Sequence, residues 1–290
     1  VYMLVRKKDY KIALKLLEGL NNHNHPIELI EFNMNDLWMR DTGPAFVINE
    51  KGKKSAVNFN FNGWGEDQDY KLDARVADFV AEKAGVKSTR SNLVLEGGCF
   101  ELDGQGTAIM TESCILNDNR NPNKGKSEVE SELKELLGLE KIIWLNGIKG
   151  KDITDGHTDF YARFARRGVV VVSRDTDKSF YDYKITRENI EILKSSTDAK
   201  GNSFDIIILD TPWDINTRFG TNDFAAGYVG YYVCNEAIIM QKFGDKNADN
   251  AAKQTLAKVF PRHRIEQIAI DGIASGGGSI HCATQQEPKV

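Results

Sequence analysis

The sequence is short of what several protein classes require. It has no excess of positive charge: 38 basic residues stand against 42 acidic ones, a net charge of −4. A protein that holds nucleic acid by its phosphates concentrates lysine and arginine, so no nucleic-acid partner is expected. The longest apolar runs, near 169–172 and 206–209, fall far short of the roughly 20 residues that cross a bilayer. No secretory signal opens the chain, and no membrane partner is expected. The four cysteines, Cys99, Cys114, Cys234 and Cys282, are too few and scattered for a disulfide scaffold. None has the Cys-x-x-Cys spacing of a zinc ribbon or a thioredoxin-type site. Such usage reads as a reducing, cytoplasmic protein. No Pro/Ser-rich linker or low-complexity tract divides the chain, which favours one domain over 1–290. Since Val1 is not an initiator Met, an upstream N-terminal segment is expected to be missing. Also absent are a Gly-x-Gly-x-x-Gly turn between strand and helix, a phosphate-binding Gly-x4-Gly-Lys-Ser/Thr loop and a Gly-x-Ser-x-Gly elbow.

What is present is ordinary globular material: 41% apolar and 28% charged residues, enough in a chain of this length to bury a sizeable core. Apolar spacing predicts strands at 1–5, 27–32, 45–48, 55–61, 93–95, 107–111, 142–145, 169–172, 206–209, 228–233, 237–240 and 265–270. It predicts helices at 10–20, 72–84, 127–137, 183–193 and 248–259. Gly85 and Pro261 end two of these helices, and Ser127 with Glu130 has the spacing of a capping box. Unusual loops recur near Asp41, Gly97, Gly156, Asn222 and Gly277, roughly 55–67 residues apart. That spacing suits a supersecondary unit repeated around an axis.

Four of these loops concentrate reactive side chains. Cys282 follows His281 and three glycines, Gly276, Gly277 and Gly278. Adjacent glycines allow backbone to approach backbone or a ligand closely; the segment reads either as a reactive thiol beside such a turn or as a flexible terminus with a buried thiol. The other three cysteines lie in apolar strand contexts and read as core thiols. In Thr154-Asp155-Gly156-His157-Thr158-Asp159 an imidazole lies two residues from each of two carboxylates. A strand at 160–164 would put His157 and Asp159 on one side, as a proton shuttle with its carboxylate. The alternatives are an Asp-Gly turn with a surface histidine or a metal pair of His157 and Asp159. Around 35–44, Trp38 lies between Asp36 and Asp41. Carboxylates and an aromatic face make a cation site, unless Arg40 and Asp41 merely pair. Glu96 closes an apolar stretch where an unpaired carboxylate is costly, so it needs a partner such as His157, or it reaches solvent.

Together these stretches resemble the agmatine deiminase family of the guanidino-group-modifying, or pentein, superfamily. The matching segments are NDLWMRDTGPAFV (35–47), FNGWG (61–65), EGG (96–98), DGQGTAIMTESCILNDNRNP (103–122), TDGHTD (154–159) and GGGSIHCATQQEP (276–288). They cover nearly the whole chain in the family's order. The resemblance implies an α/β fold, a five-bladed propeller of repeated ββαβ units around a central active-site pocket. It implies a hydrolase that converts agmatine to N-carbamoylputrescine and ammonia, in polyamine biosynthesis, with no metal and no organic cofactor. By position, Cys282 matches the nucleophile, His157 the general acid/base and Glu96 the acid that orients it. Asp41 and Asp159 match the guanidinium-holding carboxylates, with Trp38, Asp36, Gly277 and Gly278 completing the substrate site. The expected partner is a small cationic guanidine, and the expected assembly a homodimer. Three departures stand out: a Trp-rich N-terminal segment is missing, Gly230 stands where the family tends to have Asn, and the bacterial peptidylarginine deiminases share the same catalytic set. A non-enzymatic guanidinium-binding module would not need Cys282. A papain-type protease would carry its Cys before its His, the reverse of the order here.

Overall fold

The computed structural model describes residues 1–20, 26–215 and 224–290. Among these, fourteen strands form five small sheets. The first sheet pairs β1 (Tyr2–Val5) with β2 (Glu28–Glu31) in parallel, across helix Tyr10–Leu16. The other four share one order: strand, strand, helix, strand. The second sheet has β3 (Ala45–Ile48), β4 (Lys54–Asn58), helix Val76–Lys83 and β5 (Ser88–Arg90). The third has β6 (Phe100–Leu102), β7 (Thr107–Thr111), helix Lys126–Leu137 and β8 (Lys141–Leu145). The fourth has β9 (Ala162–Arg166), β10 (Val169–Arg174), helix Asp182–Ser195 and β11 (Asp205–Asp210). The fifth has β12 (Tyr232–Val233), β13 (Ala237–Lys242), helix Lys246–Val259 and β14 (Arg264–Ala269). In each, the middle strand pairs antiparallel with the first and parallel with the last. A tight turn serves the antiparallel pair, whereas the parallel pair needs a crossover, which the helix provides.

The period of two along each middle strand explains how the sheets assemble. Ala108 and Met110 of β7 face a core shared with Val57 and Phe59 of the second repeat, while Ile109 faces Val170 and Val172 of the fourth. Along β10, Val171 turns the other way and packs with Tyr228, Ile238 and Met240 of the fifth. β7 and β10 are thus buried on both faces, against the preceding repeat and the following one, which is why β10 reads as a continuous apolar run. The first sheet joins the second through Phe32 and Phe79, whose ring centroids are 4.4 Å apart, and through the Glu28–Lys83 ion pair. The C-terminal tail returns to the second repeat: Arg40 N–H donates to the Cys282 carbonyl at 3.0 Å, and Lys54 pairs with Glu287. Five small sheets in sequential contact, four of them complete ββαβ units and the first a βαβ unit, match the expected propeller.

Four expectations about local structure are corrected. Residues 93–95 form no strand; the third strand of that sheet is β5, at 88–90. Leu93 and Leu95 are buried by core packing, but this backbone is held mostly by side chains, with Asn60 Nδ2 donating to the Leu93 carbonyl and Asn121 Nδ2 to that of Val94, and makes one backbone bond, from Leu95 N–H to the Phe59 carbonyl. The Ser127–Glu130 capping box does not form, because the helix already begins at Lys126 and Glu130 instead accepts from Trp144 Nε1. Residues 158–161 make one helical turn before β9 begins at Ala162. The strand expected at 228–233 is confined to Tyr232–Val233, after a turn. The loop near Asn222 lies outside the described residues.

Candidate active site

The loops singled out by the sequence occupy equivalent places in the repeats. Asp41 lies in the turn Met39–Thr42 before β3, Glu96 just before the turn Gly97–Cys99 that precedes β6, and Asp159 in the turn Thr158–Tyr161 before β9. Cys282 lies in the tail beyond Asp271–Ala274. Because the repeats surround an axis, residues from equivalent loops converge. Cys282, Asp41, Trp38, Thr154, Gly277 and Gly278 line one inner hollow, with Trp64 and Phe160.

Glu96 has no access to solvent, and burial alone would push its carboxyl up. Arg120 Nε lies 2.9 Å from both of its oxygens and His157 Nε2 lies 3.1 Å from Oε2; these outweigh burial and hold it down at about 2. Arg120 in turn reaches Asp155 Oδ2 at 2.8 Å and the Thr154 carbonyl at 3.0 Å. Asp155 is left-handed, φ +61°, and Gly156 follows at +85°. Asn117 and Asn119 also donate to Asp155, so the Glu96–Arg120–Asp155 network fixes the backbone from which His157 projects. The Asp-Gly turn is there, but as the support of a buried histidine and not of a surface one.

His157 is also buried. Burial opposes its protonation, but Cys99, Asp41 and Glu96 around it raise it well above the ordinary imidazole value. Its Nε2 is committed to Glu96, whereas Nδ1 has no hydrogen-bond partner and lies 3.8 Å from Asp41 Oδ1. Asp159 is raised to about 7 by burial and by the Asp41 charge, against the pull of His157. Its Oδ2 meets His281 Nδ1 at 2.6 Å and accepts from the Cys282 thiol at 3.8 Å; its Oδ1 has no partner. His281, pushed well below the ordinary value by burial and by Arg163, Arg40 and His157, is a neutral imidazole whose Nδ1–H donates to Asp159. Burial, with Asp159 and Asp41 close by, pushes the Cys282 thiol well up. Buried polar atoms are nearly always paired. A free imidazole nitrogen beside Asp41 and a free oxygen on the carboxylate that meets the Cys282 thiol are the bonding capacity a ligand would use.

Asp41 does not pair with Arg40. It accepts from Gly98 N–H at 3.1 Å and from Trp64 Nε1 at 3.0 Å, while Arg40 turns away to Gln285 and Gln286 of the tail. The glycine run makes room for an indole: a Cβ on Gly278 would lie 2.1 Å from the Trp38 ring, and Gly277 has φ +87°. Trp38 also lines a second hollow of about 330 Å³, with Asp36, Leu37, Gln68, Ile153 and Gly276. Trp38, Gln68, Ile153 and Gly276 line both, so the hollows are contiguous, with Asp36 in the outer one. Trp64, Arg120, His281 and Ser279 belong to this site and were given no role from the sequence, whereas Asp155 was noted there only as a carboxylate near His157. Trp64 and Arg120 lie within matching segments, but nothing local marked them.

Glu96, Cys99 and His157 bring ligand atoms within 4.8 Å of one another. Arg120 already sets a fixed cation on both Glu96 oxygens, so this cluster does not suit a metal ion.

Comparison with known proteins accords with this geometry. The chain is 37% identical to an agmatine deiminase of Medicago truncatula over 297 residues, covering 91% of this chain and 79% of the relative. The solved structure of an agmatine deiminase of Enterococcus faecalis superposes with a TM-score of 0.90 at 32% identity, covering 99% of this chain and 83% of that one. A Cys-to-Ser variant of a C. jejuni agmatine deiminase with substrate bound superposes with a TM-score of 0.84 at 28% identity, covering 98% and 81%. The family model for Porphyromonas-type peptidyl-arginine deiminase matches residues 1–288, and with a match of that extent the chain belongs to that family.

Proposed function

We propose that this protein is an agmatine deiminase, a hydrolase that converts agmatine and water to N-carbamoylputrescine and ammonia with Cys282 as nucleophile. The observation that carries the reading is the place of the Cys282 thiol: it lines one hollow with Asp41 and lies 3.8 Å from Asp159 Oδ2, while His157 Nδ1, 3.8 Å from Asp41 Oδ1, and Asp159 Oδ1 are left without hydrogen-bond partners. Relatives that are agmatine deiminases support the substrate. The outer hollow supports it further. A diamine derivative carries a second cation about one butyl chain from its guanidinium, and Asp36 offers a carboxylate there. Free arginine would bring its own carboxylate to Asp36, which is repulsive. The product suits a polyamine pathway.

The proposed chemistry follows from the charges. In the free protein the raised Cys282 is a thiol and the raised His157 an imidazolium. A guanidinium held by Asp41 and Asp159 places a positive charge beside the sulfur and favours the thiolate, which is the nucleophile. The thiol proton leaves for solvent. Attack of the thiolate on the guanidinium carbon forms the C–S bond and a neutral tetrahedral adduct. His157 gives its proton to one nitrogen, the C–N bond breaks and ammonia departs, leaving an S-alkylthiouronium. Neutral His157 then takes a proton from water as its oxygen adds to the same carbon. Collapse expels the thiolate and releases the urea product, whose surplus proton is taken up by ammonia. Glu96, held by Arg120, fixes the imidazole through Nε2, so that Nδ1 faces the reacting groups.

Ammonia release from agmatine, free arginine and an arginyl peptide, measured side by side, tests the substrate. Agmatine is expected to be preferred; preference for the peptide would move the protein to peptidylarginine deimination. Cys282→Ala is expected to abolish turnover and to keep measurable agmatine binding. Full activity in that variant would remove Cys282 from the chemistry.

A further inference from the structure

The turn carrying Cys282 presents a hydroxyl that the scheme above leaves unused. Ser279 Oγ lies 3.3 Å from Cys282 Sγ, and both side chains are buried. The Ser279 backbone also hydrogen-bonds the sulfur. The remaining groups around the sulfur work in the opposite sense. Asp159 Oδ2 accepts from the thiol at 3.8 Å, and Asp41 lines the same hollow. His281, next in the chain, is neutral and bonded to Asp159, and the Arg40 guanidinium is turned away towards Gln285 and Gln286. A thiol can donate to Asp159, but a thiolate has no proton and can only accept. A hydroxyl at this distance therefore favours the anion.

What seats the hydroxyl is Gly230. A Cβ there would lie 2.2 Å from Ser279 Oγ and 2.3 Å from Ser279 Cβ. Gly230 is not among the residues with positive φ, so the bare backbone serves space, not conformation. The Gly230 carbonyl accepts the His281 N–H at 3.0 Å, which ties the turn to the fifth repeat at the same point. Two separate contacts thus register 279–282 on Gly230, and the side chain they set against the sulfur is the serine, at 3.3 Å.

We propose that Ser279, seated by the missing side chain of Gly230, is a catalytic hydrogen-bond donor to the attacking sulfur of Cys282. The proposal rests on the reading of Cys282 as the nucleophile. It is tested without substrate, by the pH dependence of iodoacetamide alkylation at Cys282, read by mass spectrometry on the peptide that carries it so that the other three thiols do not contribute. In Ser279→Ala the alkylation midpoint is expected to move up by about one pH unit, with the rate at neutral pH about tenfold lower. Gly230→Ala, which leaves the serine in place but pushes its side chain off the seat, is expected to move the midpoint the same way. The double variant should shift no further than Ser279→Ala alone, because both changes remove one contact. With agmatine, kcat should fall and KM stay near its original value.

Melting curves separate these effects from loss of fold, and the two single variants damage the turn by different routes, so one folded variant suffices. An unchanged midpoint in folded Ser279→Ala, or shifts that add in the double variant, overturns the proposal. If the midpoint moves but the unaltered protein releases no ammonia from agmatine, the hydrogen bond stands and the deiminase reading falls.

Discussion

Arg120 and Glu96 are both wholly removed from solvent, and their ion pair stands behind His157. Replacing one member of such a pair leaves the other charge buried and uncompensated, which costs about 3–5 kcal/mol. Arg120→Met is expected to lose stability of that order in urea unfolding and to lose activity with it. A loss below about 1 kcal/mol would mean that His157 alone satisfies Glu96. The pH dependence follows from the same pair. Glu96 is held at about 2 in the folded protein, below its ordinary 4.5. Its contribution is therefore present above about 4.5 and is lost as the pH falls towards 2. Asp159 has the opposite sign. It is raised to about 7, so what it contributes to stability is present below its ordinary value near 4 and is lost as the pH rises through 7. A bound guanidinium reverses this, because the cation needs the ionised carboxylate. Agmatine binding to Cys282→Ala is expected to tighten about tenfold per pH unit between pH 5 and 7 and to level off above. Calorimetry in two buffers should show protons released on binding below pH 7. A flat affinity over that range would show that Asp159 does not hold the cation.

The elements that bring these residues together are mostly single helical turns before the first strand of a repeat, and they are set by contacts distant in sequence. Trp38 is an example: its indole is packed against Gly276 and Gly278, about 240 positions away. Gly278→Ala would put a methyl 2.1 Å from the ring, against buried surroundings that cannot give way cheaply. Overpacking of this kind costs typically about 1–3 kcal/mol. The variant is expected to melt lower, to change its tryptophan emission and to lose agmatine affinity, since Trp38 lines both hollows. Unchanged emission with unchanged KM would mean that the tail, and not the indole, moves. The strands and long helices, by contrast, were legible locally. Val169–Arg174 and Asp205–Asp210 were readable from unbroken apolar runs, and Asp182–Ser195 from its period. Residues 93–95 misled because Leu93 and Leu95 are apolar for burial, not for pairing; the side chains of Asn60 and Asn121 that hold that backbone lie elsewhere in the sequence.

At the scale of the whole molecule, the repeats have no separate cores. Leu145 of β8 is fully buried in the core shared by the third and fourth repeats. Leu145→Ala is expected to cost about 2–5 kcal/mol, and to lower activity as well as stability, because Glu96 and His157 are supplied by those two repeats. Full activity in a destabilised variant would show that the site does not depend on that interface. Among the described residues, no helix is long and apolar enough to cross a membrane.

By itself the sequence determined most strands and long helices of the repeats, through apolar runs in strands and helical apolar spacing, and the loops where chemistry collects, through the density of Asp, His, Cys and Gly at a regular interval. Even the candidate nucleophile and base were marked there, because such residues are unusual beside glycine turns. Which partner each one takes was decided only by the tertiary structure. Glu96 belongs to Arg120 as much as to His157, Asp41 to Trp64 and not to Arg40, and Asp159 to His281. Pairing of buried charges depends on distances of a few ångströms between residues dozens to hundreds of positions apart. Those distances exist only once the repeats have closed around their common axis.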